Sequence, residues 1–177
     1  MTPADYDLLA EDPRFHDRHI ELVGGKFLLQ VPQKKLHQRA VSAVLEAFFG
    51  LDRGELQITT QGTTEFEENR LEPDVALVRF KDADDDRYVQ RDEIKLAVEV
   101  AVSSLAYDRE EKAIYYAEGD VPEYWIVNPL SRQIEVYRTP VQGRYSEAFL
   151  VLPGEMLDAL CLPGIEIAAD SVLPSAT

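Results

Sequence analysis

The run IKLAVEVAV, residues 94–102, constrains the fold more than any other stretch of this chain. An unbroken aliphatic and β-branched run of that length reads as a strand. Side chains alternate along it. Lys95, Ala97, Glu99 and Ala101 share one face, and Leu96, Val98 and Val100 share the other. Glu99 is the oddest residue in the sequence, because an acid among aliphatics is rare unless something pairs with it.

A second acid stands in the same kind of setting. EPDVALVRF opens just after a proline and reads as another strand, with Asp74 and Ala76 on one face and Val75 and Leu77 on the other. The charged stretch KDADDDRYVQRDE joins the two strands and reads as a loop. If the strands form an antiparallel hairpin, pairing Asp74 with Glu99 puts the midpoint between Asp86 and Arg87, inside that loop. The two carboxylates would then be cross-strand neighbours, with Cβ atoms ~5 Å apart. Each is flanked by alanines, which leaves room for an ion and a substrate. Two such charges need a counter-charge, and a divalent ion with oxygen ligands, Mg²⁺ or Mn²⁺, supplies it. The plainer reading is that Glu99 faces solvent, or pairs with Lys95 or Arg79.

The remaining elements follow from periodicity and punctuation. Thr2-Pro3 before ADYDLLAE marks a short capped helix. HIELVG and KFLLQV flank Gly24-Gly25, a hairpin signature. In LHQRAVSAVLEAFFG, Leu36, Val41, Val44, Leu45 and Phe48 recur at helical spacing, with Gly50 as the stop. ELQITTQGTTEF reads as one strand. Ser103-Ser104 precede a helix, LAYDREEKAIYYAEG, that ends at Gly119. VPEYWIVN, SRQIEVYR and RYSEAFLVL read as strands, the last two joined at Val141-Gln142-Gly143. EMLDALCLPGIEI is irregular and could close the sheet. From Leu36 to Asn128 the order is α-β-β-β-α-β, with an extra N-terminal hairpin and extra C-terminal strands. The expected fold class is α/β (α+β), a mixed sheet with packed helices. At 177 residues the chain, residues 1–177, is one domain's worth.

Composition bounds the rest. One cysteine, Cys161, excludes an intrachain disulfide, and in DALCLPG it reads as a small packed residue. The N-terminus has no basic n-region or apolar h-region. No apolar run reaches the ~18–20 residues that cross a bilayer. No membrane association and a cytoplasmic location are therefore expected. The net charge of −15 argues against nonspecific nucleic-acid binding by the whole surface. A local basic site, or a bound cation, can still reverse the sign where it matters.

Several further residues are candidates for chemistry. Asp108 and Lys112 are i and i+4 in the second long helix, a stock surface pair worth ~0.2–0.5 kcal/mol. Alternatively, Lys112 points onto Asp74 and Glu99, where it could orient a water or offset charge on a phosphate. His37, unaided, reads as a surface histidine. Glu21 is a third acid or a polar edge position. Lys34, Lys35, His37 and Arg39 form the most basic short stretch, either phosphate-facing or a solvated helix end. Tyr115, Tyr116, Tyr124 and Trp125 read as core and rim packing.

PDVALV, then LAVEVAVSSLAYDREEKAIYYAEGDVPEYWIVNP, then IEVYR together resemble the Uma-two family of restriction endonucleases, of the PD-(D/E)XK nuclease superfamily. IELVGGKF and the helix opening with His37 resemble it too, and the likeness runs from about Ile20 to the final strands. The resemblance implies a restriction-endonuclease-like fold with an αβββαβ core. It implies that Asp74 and Glu99 are the motif's acids, holding Mg²⁺ (or Mn²⁺) with the carbonyl of Val100, and that DNA is the substrate. The motif's lysine falls at Ala101 in this chain, and Lys112 matches a lysine moved to the following helix. Asp108 matches the acid before it, and Glu21 and His37 match recurrent positions near the site. Nucleases of this superfamily often dimerise to cut two strands, which implies a homodimer. The competing expectations are a catalytically inactive nuclease-fold module for protein binding or dimerisation, and a hydrolase for another phosphate-containing substrate. The −15 charge and Ala101 speak for the former.

Overall fold

The computed structural model describes residues 1–15, 18–30, 32–82 and 86–174. Helix α1 (Pro3–Ala10) is closed at its start by Thr2, whose hydroxyl accepts the Asp5 N–H while Asp5 accepts the Thr2 N–H. Strands β1 (Ile20–Val23) and β2 (Lys26–Leu29) form the expected hairpin. Gly24 and Gly25 supply φ angles of 54° and 72°, which its two-residue turn requires. Helix α2 (Lys35–Phe49) ends at Gly50. Next come β3 (Gln57–Thr59), β4 (Thr64–Glu65), β5 (Arg70–Leu71), β6 (Val75–Val78), β7 (Val89–Gln90) and β8 (Ile94–Val100). The second helical segment is α3 (Leu105–Tyr107), a π-helical turn (Asp108–Lys112) and α4 (Ala113–Glu118). β9 (Glu123–Asn128), β10 (Gln133–Val141), β11 (Arg144–Val151), β12 (Met156–Asp158), β13 (Glu166–Ala168) and α5 (Ala169–Val172) complete the order.

The main sheet runs β11-β10-β9-β8-β6-β3. Strands β3, β6 and β8 are antiparallel neighbours, and β9 lies parallel to β8 after the helical crossover. The expected α-β-β-β-α-β core is thus α2, β3, β6, β8, the crossover helix and β9, in a mixed α+β fold.

Three expectations need correction. ELQITTQGTTEF is not one strand: the chain turns at Gln61, with φ of 50°, and divides into β3 and β4. EPDVALVRF holds β6 as expected; the additional strand β5 precedes it, with Pro73, which has no N–H to give a ladder, between the two. The displaced pieces β4 and β5 join the N-terminal hairpin in a second sheet, β2-β1-β5-β4-β7. The presumed loop between the carboxylate strands also holds β7 and a 3₁₀ turn at Arg91–Glu93, while residues 83–85 lie outside the described residues. Finally, β12 and β13 pair only with each other and do not close the main sheet.

The central strands β6, β8 and β9 of the main sheet are buried on both faces. On one face α2 contributes Ala40, Val44 and Phe48, which pack with Val75, Leu77, Leu96, Val98, Trp125 and the C-terminal segment. On the other, Tyr116 and Ala113 pack with Ala76, Ala97, Ala101, Tyr124 and Ile126. The alternation expected along β6 and β8 is therefore realised, but tyrosines fill the space over the alanines. The Phe48 and Trp125 rings, with centroids 5.9 Å apart, fix α2 to the sheet. Phe48→Ala is expected to cost about 3–5 kcal/mol in urea unfolding, because a fully buried aromatic leaves a cavity. A loss below about 1 kcal/mol would show that α2 is held by something else.

Candidate active site

Asp74 and Glu99 meet where β6 begins and β8 ends. The observed register pairs Val75 with Val98, Ala76 with Ala97 and Leu77 with Leu96, which is the register expected from the sequence. Asp74 stands one step beyond the first of these pairs. Its Oδ2 accepts the Val100 N–H at 2.8 Å, so the carboxylate ties the end of β8 to the start of β6. In an extended residue the N–H and C=O point to the same strand edge, which puts the Val100 carbonyl on the Asp74 side. His37 Nε2 lies 3.1 Å from the same Asp74 oxygen. His37 is only 5% exposed, which corrects the surface reading. It lies on the α2 stripe that continues through Ala40, Val44 and Phe48. Lys34, Lys35 and Arg39 around it are exposed.

Lys112 is also buried, which excludes the plain surface pair with Asp108. Its Nζ donates to Glu99 Oε1 at 2.8 Å and lies 3.1 Å from Glu21 Oε1. The π-helical turn explains the aim. The Ala113 N–H reaches the Asp108 carbonyl, five residues back. The wider turn rotates each residue less, so Asp108, Lys112 and Tyr116, spaced by four, stay in line where a regular α-helix would drift. All three are buried. The Tyr116 hydroxyl donates to Glu99 Oε1 at 2.8 Å, and Asp108 Oδ2 accepts the Ser104 hydroxyl at 2.6 Å. Glu21, in β1, accepts the Glu72 N–H at 2.8 Å, which joins the second sheet to the segment leading into Asp74.

Four buried carboxylates therefore surround one ammonium: Asp74, Glu99, Glu21 and Asp108 around Lys112. Burial pushes Glu99 well above the usual carboxylate range, Lys112 pulls it back, and Asp74, Asp108 and Glu21 push it further up. Burial likewise raises Asp108 to about 6, against the pull of Lys112. For Lys112, burial acts to remove its proton, but Glu99, Glu21 and Asp108 outweigh it and hold the ammonium well above its ordinary value. Burial is the first cause of the raised acids, and the crowd of acids around a single lysine adds to it while holding the Lys112 proton in place.

These groups line an open cavity of about 240 Å³ with His37, Val100 and Tyr107. The donor set suits a hard cation. Among the described residues, the bonds to the Asp74 side chain use Oδ2 and those to the Glu99 side chain use Oε1, which leaves Asp74 Oδ1 and Glu99 Oε2 outside them. Among the described residues no group of three or more His, Cys, Asp or Glu is arranged to hold a metal. A pair of carboxylates matches the habit of Mg²⁺, which keeps several waters and takes further oxygens from a substrate phosphate. Sequence reading missed Tyr116 and Tyr107. Tyr116 could have been found from its spacing of four beyond Lys112. Tyr107 lines the cavity with a buried hydroxyl that has no partner among the described residues. Cys161 is remote from this cavity, and burial pushes its thiol up to about 12.

The charge shortage has a measurable consequence. Lys112→Ala leaves Glu99 and Glu21 buried without a cation, and is expected to cost about 3–5 kcal/mol in urea unfolding. Glu99→Gln keeps the Lys112–Glu21 contact and removes one excess acid, so its expected cost is only on the order of 1 kcal/mol. Equal losses in the two variants would contradict the surplus of acid.

No helix among the described residues is long and apolar enough to cross a membrane. No curated protein matches the chain. A solved structure from Anabaena variabilis ATCC 29413, described as "a putative nuclease belonging to DUF820", aligns with a TM-score of 0.74. It is 13% identical, and the alignment covers 97% of each chain. At that identity the likeness speaks for the fold. The Uma2 family model, described as "Putative restriction endonuclease", matches residues 3–170. A match of that extent takes in every residue of the carboxylate cluster, and the chain belongs to the Uma2 family.

Proposed function

We propose that this chain is a Mg²⁺-dependent DNA endonuclease (Mn²⁺ serving equally) that hydrolyses phosphodiester bonds. The observation that carries the reading is the buried acid surplus around Lys112 at the floor of an open cavity. Asp74 and Glu99 would hold the ion, with the Val100 carbonyl on the same strand edge. When bound, the ion acidifies water and polarises the phosphate. His37 and the Val100 N–H fix the Asp74 carboxylate, and Tyr116 fixes Glu99. An ammonium has three donors. Glu99 and Glu21 take two from Lys112, and the third orients the attacking water or offsets charge on the phosphate. The water oxygen would bond to phosphorus, releasing a proton to solvent, as the bond to the leaving sugar oxygen breaks, and solvent would return a proton to that oxygen. The family description and the nuclease-like fold support this reading.

The second reading is a nuclease-fold module without catalysis, serving protein binding or dimerisation. It is favoured by the −15 charge and by Phe149, Leu150 and Leu152, which are exposed at or just beyond the edge strand β11. A homodimer is compatible with both readings, since an enzyme cutting two strands uses two copies, and light scattering detects it.

The test is cleavage of supercoiled plasmid and of single-stranded circular DNA with Mg²⁺ or Mn²⁺. Nicking or linearisation is expected, lost on chelation. Asp74→Ala, Glu99→Ala and Lys112→Ala should each reduce it roughly 10²-fold or more. Intact DNA after incubation with folded wild type would favour the inactive module.

A further inference from the structure

A second cavity, of about 510 Å³, is lined by Glu72, two residues before Asp74. Three aromatic residues, Tyr6, Phe15 and Tyr88, line it beside aliphatic and polar side chains, with Tyr6 and Tyr88 edge to face at 6.2 Å. Its floor is an acceptor, the buried Glu72. Glu72 Oε1 accepts the Thr63 hydroxyl at 3.2 Å, and Oε2 lies 2.9 Å from His19 Nδ1. A carboxylate has about four lone-pair sites, so capacity remains. Gln61 also lines this cavity, held in a left-handed backbone conformation (φ of 50°) by its N–H bond to the Pro73 carbonyl.

A groove that shares lining residues with each cavity neighbours both. Arg18 and His19 line the second cavity and an intermediate groove, and that groove shares Gln30 and Gln33 with the first cavity. Glu72 and Asp74 are two residues apart, so their Cα atoms lie within about 7 Å. That separation is within reach of neighbouring nucleotides of one strand. An acidic floor repels a phosphate, and its polar groups are wasted on an aliphatic ligand. Flat aromatic side chains beside a hydrogen-bond acceptor suit a planar ring that carries amino hydrogens.

The geometry points to the second cavity as a pocket for an unstacked nucleobase of the substrate strand, one that presents an exocyclic amino group to Glu72. The base packs against the half-buried Tyr88, Glu72 accepts from its amino group, and Arg18 meets the backbone between this base and the phosphate to be cut. Cytosine, adenine and guanine carry the amino group. Thymine instead presents carbonyl oxygens on both sides of its one ring N–H, and it is disfavoured. This inference rests on the DNA reading above and adds a base preference to it.

Fluorescein-labelled 12-mers of oligo(dC), oligo(dA) and oligo(dT), followed by anisotropy with Ca²⁺ in place of Mg²⁺, test it. Oligo(dC) and oligo(dA) should bind about fivefold or more tighter than oligo(dT). Glu72→Gln should erase that preference. Tyr88→Leu, which keeps an apolar side chain at a half-buried position, should weaken oligo(dC) and oligo(dA) about tenfold through lost stacking. Equal binding of all three oligonucleotides, with plasmid cleavage intact, overturns the pocket and leaves the nuclease reading standing. A preference that survives in both variants places base selection elsewhere. Neither binding nor cleavage of any DNA overturns both readings.

Discussion

Lys112 and Glu99 meet at 2.8 Å with both side chains withdrawn from water, and the rest of the site is arranged around that contact. An ammonium or a carboxylate buried alone costs several kcal/mol, so each must be supported by fixed neighbours. The support comes from separate parts of the chain. Tyr116 donates to Glu99 from one turn further along the helix. Glu21 reaches Lys112 from the second sheet. His37 reaches Asp74 from the opposite layer. None of these elements is adjacent to the others in sequence, so the cluster exists only when both sheets and both long helical segments are assembled.

The same arrangement is unbalanced by design of its residues. Four acids and one lysine cannot all be charged cheaply in a low-dielectric pocket, and the raised Glu99 and Asp108 express that. A site built only for stability would pair its charges evenly or replace them with apolar groups. The surplus lies in an open cavity rather than a closed core, where a cation can enter.

Parts of this were legible in the sequence for physical reasons. A strand has a period of two and one connecting segment, so the Asp74–Glu99 register followed from alternation and a midpoint. Lys112 was legible only as a choice, because spacing of four from Asp108 serves a solvent pair and a buried line equally well. Nothing in DREEK announces a π turn, and the contacts made there, Tyr124 hydroxyl to the Asp108 carbonyl and Lys112 to Glu99, are tertiary rather than local. His37 reads as a surface residue because it is polar and sits among Lys34, Lys35 and Arg39. Its spacing from Ala40, Val44 and Phe48 was the available signal. The broken strands had a local cue in Pro73 but none in Gln61, a residue that rarely takes a positive φ. β propensity marks a segment as extended and cannot say which of two sheets it joins.

The central claim is that the acid surplus is a cation site. Calorimetric titration of Mg²⁺ or Mn²⁺ into wild type and into the Asp74→Ala/Glu99→Ala double variant addresses it directly. The account predicts saturable binding in the wild type that disappears in the double variant. Absence of binding in the wild type at millimolar ion, with single-stranded oligonucleotide present to complete the oxygen shell, would contradict it.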